Sequence, residues 1–229
     1  MEILPQNNGV YELLLESLIP HLEEKGRHWL QETLTDDGLP SVVDRRMAAA
    51  RRKVGHQEVQ LSLPFEYLSL SGTSHPLPGR FWETMGWDVS EVARMVILLK
   101  CQYGSSQRED LVKEAFRRGD EKERSAIMKG MLLLDGGGHL RSMVVDTCRT
   151  NSLELFASVA VGNPYPYLYF EEPEFNQMVL KALFMEMDIA RIYALENRIT
   201  ETLSRMGKDF FEERKAAGRS VPASIRMIL

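Results

Sequence analysis

The stretch that most constrains this chain is Phe175-Asn176-Gln177-Met178-Val179-Leu180-Lys181-Ala182-Leu183-Phe184. At about 100° per residue, positions 175, 178, 179, 182 and 183 fall on one broad apolar face, and Leu180, Phe184 and Met185 fill much of the remainder. Only Glu174, Gln177 and Lys181 form a polar sector. A helix apolar nearly all round is expected in the middle of a larger helical body. Asn176 projects between Leu183 and Leu180, so it is carried into that interior, where an amide needs partners. Upstream, Asn163-Pro164-Tyr165-Pro166 reads as a stiff turn, because the two prolines fix φ and remove two backbone donors. Asn163 is expected to cap or turn the chain there, with Asn176 satisfying the turn's backbone from the neighbouring helix.

The rest of the chain carries the same helical period. Leu14, Leu18 and Leu22 place a helix over 10–24, kinked at Pro20; Gly26 marks a break and 29–34 a short second helix. Ser41 is a plausible N-cap for a basic helix over 42–54, whose arginines read as a solvated face. A second nearly all-apolar helix, 92–103, is the natural partner of 175–185 and follows a capping box of Asp88 with Glu91. Asp120 with Glu123 and Asn151 with Glu154 repeat that pattern. Gly104, Gly119 and Asp135-Gly136-Gly137-Gly138 are breaks between helices. Asp188 caps a short helix to Leu195, and Ile199, Leu203, Met206 and Phe210 form the stripe of a last long one. Residues 55–86, rich in Pro and Gly, read as a long irregular connection, with Val59, Leu61 and Leu63 extended but lacking a second convincing strand. The expected fold is a single all-α domain, a multi-helix right-handed αα-hairpin or solenoid-like (HEAT-like) bundle.

Chemistry is sparse by comparison. With 28 Lys and Arg against 33 Asp and Glu, a net charge of -5 argues against nucleic acid as a partner. Cys101 and Cys148 sit among Leu, Val and Met and read as two buried thiols in a reducing compartment. Residues 1–5 lack a basic n-region, and no run approaches about 18 apolar residues, so membrane insertion is not expected and a cytoplasmic location is. The five histidines are scattered without metal-ligand spacing, so neither a metal nor a cofactor is expected. Gly136-Gly137-Gly138-His139 lacks the Lys-Ser/Thr of a phosphate loop and reads as a turn between helices. Met178, Met185 and Met187 beside Phe184 suit an adaptable apolar pocket or ordinary core. The polar candidates, as ligand or structural residues, are Arg149, Asn151, Asn163, Tyr165, Asn176 and Lys181; none is assigned a catalytic role. Lys181 lies about 140° from Asn176 on the projection, which argues against both meeting one ligand.

Arg149-Thr150-Asn151 with Leu155-Phe156, the Asn163-Pro164-Tyr165-Pro166 and Phe175–Phe184 segments, Ala190-Arg191-Ile192, Glu213-Arg214, Ala216-Ala217-Gly218-Arg219 and Val221-Pro222 resemble the EboA family of metabolite-traffic proteins. Gly86-Trp87, Ala93-Arg94 and Leu98-Leu99 extend the likeness upstream. The resemblance implies an operon-encoded accessory protein, linked to moving a secondary-metabolite precursor from cytoplasm to periplasm, with no catalytic residues to carry over. Its expected partners are other products of the same operon and a hydrophobic aromatic small molecule. The alternative is a small enzyme of that pathway with a pocket near Arg149, Asn163, Tyr165, Asn176 and Lys181.

Overall fold

A computed structural model describes residues 8–103 and 105–229; the break expected at Gly104 and the reading of residues 1–5 lie outside the described residues. The described chain is mostly helical. Its helices are α1 (Asn8–Leu18), α2 (Glu24–Leu34), α3 (Leu39–Val54), α4 (Val89–Gln102), α5 (Arg108–Arg118), α6 (Glu121–Lys129), α7 (Met131–Leu134), α8 (Arg141–Thr147), α9 (Leu153–Ala160), α10 (Pro164–Tyr169), α11 (Glu172–Phe184) and α12 (Glu201–Ala216). No helix among the described residues is long and apolar enough to cross a membrane.

The helix buried on all sides is α4, where every residue except Lys100 is buried. The expected capping box starts it: Asp88 Oδ1 accepts from the backbone N–H groups of Ser90 and Glu91, and Glu91 Oε2 accepts from that of Asp88 at 2.9 Å. Helices α1, α3 and α6 pack around it. Its buried charges are paired, Glu91 with Lys129 at 2.8 Å and Arg94 with the Met47 carbonyl at 3.2 Å. The expectation for 175–185 is corrected accordingly. Helix α11 lies at the outside of the body, packing mainly on α12 and α9 rather than α4. Leu180 is half-buried and Phe184 is 65% exposed, since Phe184 stands about 180° from Phe175.

Several boundaries also differ from their sequence reading. Pro20 ends α1 in a 3-10 turn over Ile19–His21, and α2 then runs straight through Gly26. There a Cβ would meet the Lys53 carbonyl oxygen and Val54 Cα at 3.3 Å, so Gly26 permits close approach to α3 rather than breaking a helix. Helix α3 begins at Leu39, and Ser41 Oγ donates back to the Gly38 carbonyl instead of capping. Ser152, not Asn151, caps α9 by accepting from Leu155 N–H. Asp188 does cap, but only a 3-10 turn over Ile189–Arg191.

The 55–86 arm is irregular over 68–80, as expected, but carries short strand pairs at its two ends that the sequence reading did not expect. Strand β1 (Glu58–Val59) pairs antiparallel with β4 (Trp87–Asp88), and β2 (Ser62–Pro64) with β3 (Phe81–Glu83), in the register Leu63 opposite Trp82. The alternation of Val59, Leu61 and Leu63 buries one face, as a strand does. Trp82, fully buried, stacks edge-on with Trp87 and donates its indole N–H to the Gly162 carbonyl at 3.0 Å. That bond pins the arm to the loop preceding α10. Trp82→Phe keeps most of the buried ring but orphans the carbonyl, and is expected to lower unfolding stability by about 1–3 kcal/mol in urea denaturation.

Candidate functional site

Helix α10 is the Asn-Pro-Tyr-Pro motif, so the motif opens a helix and is not the turn its prolines suggest. Pro164 and Pro166 fall in the first turn, where backbone N–H groups have no intrahelical partner and a missing donor costs nothing. Asn163 is the N-cap: its Oδ1 accepts from Tyr165 N–H at 3.0 Å, and its Nδ2 donates to the carbonyls of Met128 (2.9 Å) and Ser158 (3.0 Å). All six helical residues are buried. The carbonyl end meets Arg198, itself 6% exposed, which donates to Tyr167 O at 2.7 Å and Phe170 O at 2.9 Å. Its guanidinium lies 4.3 Å from the Phe175 ring centroid. Burial lowers the Arg198 pKa, while the carbonyl end of the helix favours the cation. Nothing in the local pattern marks Arg198, because its partners are backbone atoms some thirty positions away.

The tyrosines of α10 tie it to the glycine turn. Tyr165 donates to Asp135 Oδ2 at 2.6 Å, and the same carboxylate accepts from the N–H groups of His139 and Leu140. Tyr169 donates to the Gly136 carbonyl, and Tyr167 to that of Pro76. Gly138 has φ 72°, and a Cβ there would sit 2.5 Å from the Tyr169 ring, so glycine is required. Burial, reinforced by the neighbouring Asp135, pushes the Tyr165 pKa well up. Its proton therefore stays on the bond to Asp135. Beyond Asp135 opens a polar cleft of about 630 Å³ between the 135–139 turn, Ser71 and the start of α5, where His139 Nδ1 lies 3.3 Å from Glu109 Oε1.

A second groove, of about 580 Å³, lies between the end of α8 and α11. Val145, Cys148, Phe170 and Met178 form its apolar part, with Arg149 and Lys181 as cations. Lys181 Nζ donates to Thr150 O at 2.6 Å and lies 5.4 Å from the Phe156 ring centroid; among the described residues it has no carboxylate partner. Desolvation lowers its pKa. Arg149 is exposed and paired with Asp146 at 2.9 Å. Glu174 also borders the groove, held by the backbone N–H of Glu171. Burial pushes the Cys148 thiol up to about 12 and Cys101 up to about 11, so both stay protonated at neutral pH and are poor nucleophiles.

The structure thus brings Arg149 and Lys181 to one groove and Asn163 and Tyr165 to one buried network, and leaves Asn151 exposed and apart. Asn176 is 1% exposed, and neither its Oδ1 nor its Nδ2 has a hydrogen-bond partner, so it does not satisfy the Asn163 segment, which is complete without it. The methionines do not converge either: Met178 faces the Lys181 groove and Met187 a different one. Among the described residues no group of His, Cys, Asp and Glu side chains is arranged to hold a metal ion.

The chain matches the family model described as metabolite traffic protein EboA over residues 10–229. It belongs to the EboA family. No curated protein and no solved structure matches it. The EboA match takes in α1–α3 and the β arm, well upstream of the Gly86 at which the motif resemblance begins. In this EboA chain Asn176→Leu would replace two unpartnered buried polar groups at similar volume. It is expected to raise stability by about 1–3 kcal/mol by chemical denaturation, whereas a fall would mean that the amide has partners.

Proposed function

We propose that this EboA-family protein is a non-catalytic accessory protein of the cytoplasm, supporting transfer of a secondary-metabolite precursor towards the periplasm. It binds other products of its operon and holds the hydrophobic, aromatic precursor in the Lys181 groove. The observation that carries the second part is the groove's composition: apolar Phe170 and Met178 beside a partly desolvated ammonium whose partners among the described residues are a carbonyl and a ring face. Such a surface takes an aromatic ring by apolar contact and cation–π attraction. The protonated thiols and the committed Tyr165 hydroxyl favour binding over chemistry. We read the packed pairs α5–α6 and α8–α9 as αα-hairpins of the HEAT kind, offering partner proteins an extended helical flank.

One observation favours the rival, a small pathway enzyme near the Asn-Pro-Tyr-Pro motif: the cleft behind Tyr165 places the His139 imidazole between Glu109 and Asp135. Incubation of the purified protein with candidate aromatic precursors separates the two readings. Binding without a new mass is expected; a new product mass would establish the enzyme. Lys181→Met is expected to weaken precursor binding by roughly two- to thirtyfold in titration calorimetry. Mild affinity purification from the producing cells should recover products of the same operon, and a partner-free eluate would count against the adaptor.

A further inference from the structure

A third groove, between α1 and α2, is unlike the other two in its charge. It encloses about 470 Å³, within the range of small-molecule sites. Helix α1 packs chiefly on α4, and α2 on α3 and α4, rather than against each other, because the 3-10 turn at Pro20 sends them in different directions. Leu15, Ile19, Leu30 and Leu34 line the resulting slot, with the Tyr11 ring at one end. Ile19 is 41% exposed although it is a large aliphatic side chain. Among the described residues the polar lining is Arg27, Lys100, Gln31 and Thr35, with no Asp or Glu, in a chain whose acids outnumber its Lys and Arg.

Among the described residues neither cation has a carboxylate partner. Lys100 is the one exposed residue of α4, and its Nζ lies 5.8 Å from the Tyr11 ring centroid. Arg27 uses Nε to donate to the Leu22 carbonyl at 2.7 Å, which orients the guanidinium and leaves its outer nitrogens unbonded by the described residues. Glu12 acts on the Tyr11 hydroxyl but is not among the residues lining the groove. An apolar slot walled by leucines, with Lys100 at its Tyr11 end and no Asp or Glu among its described lining residues, complements a molecule with an apolar body and an anionic head.

We infer that the α1–α2 groove binds a single-chain amphiphile bearing a carboxylate, its head on Lys100 beside the Tyr11 ring and its tail along Leu34, Leu15 and Leu30 towards Ile19. The slot from Tyr11 to Ile19 spans eight helical rises, roughly 12 Å, which suits a medium-length chain. The site is independent of the Lys181 groove.

Decanoate, kept below its micellar concentration, is the probe, followed by calorimetry and by methyl NMR of the intact protein. The expected result is saturable binding with shifts at Leu15, Leu30 and Leu34. Lys100→Gln should weaken decanoate by roughly tenfold while leaving the uncharged detergent octyl glucoside unaffected. Ile19→Gln, at an exposed position, should weaken both ligands. Absence of decanoate binding, shifts confined to another surface, or binding unchanged in both variants would overturn the assignment. So would capture by anionic vesicles without binding of monomeric decanoate, which would make the groove a membrane-docking face.

Discussion

The interaction on which the rest depends is the satisfaction of both ends of a buried six-residue helix. A helix as short as α10 leaves most of its backbone N–H and C=O groups without intrahelical partners, and at full burial water is not there to take them. Each orphan would cost about 1–3 kcal/mol. Asn163 and the two prolines resolve the donor end, one by accepting and two by having no donor to satisfy. Arg198 resolves the acceptor end with a fork of donors and a charge of the favourable sign. Three tyrosine hydroxyls then anchor its flanks to Asp135, Gly136 and Pro76. Three separate chain segments, the 135–139 turn, the β arm and the stretch before α12, are thereby referenced to one short helix.

Much of the helical pattern is legible in the sequence because it is local. The capping boxes at Asp88 and Asp120 form as their spacing requires, and the leucines at 14, 18 and 22 are all buried. What the sequence misleads about is which apolar helix lies central. Helices α4 and α11 look alike on a projection, yet α4 is surrounded while α11 leaves Phe184 in solvent, a difference that depends on packing partners far away in the chain. The β arm escaped for a related reason. Its strands are two or three residues long; the alternation at 59–63 is legible, but Leu63 finds Trp82 across a nineteen-position separation, so the partner strand is not.

The site residues divide along the same line. Asn163 and Tyr165 are conspicuous because an amide and aromatics crowd two prolines, but the structure gives those groups backbone and carboxylate partners within the fold. Asp135 and Arg198, which complete that network, carry no signal, since an Asp before three glycines reads as a turn residue and a lone Arg as surface. Lys181 is legible as polar with Met178 three residues before it on the same helix, and its proximity to Cys148 and Phe170 is not, because α8, the end of α10 and α11 meet only in the folded chain.

The densest motif of the chain is therefore a statement about folding, and the surfaces proposed to bind lie elsewhere. Groups that complete α10 are already bonded to the protein, and engaging a ligand would break bonds whose loss is costly in a buried setting. Lys181 and Lys100 are in the opposite condition. Each is a cation beside an aromatic ring and apolar side chains, without a carboxylate partner among the described residues, so an incoming anion or ring displaces water or one carbonyl contact. In a family of metabolite traffic proteins, reversible occupancy is what such half-satisfied cations allow: they favour an incoming ligand without the rigid, fully bonded enclosure that would slow its release. In the proposed traffic role, the α10 network holds the helices in register and the two cationic grooves leave surface on which a ligand can load and unload.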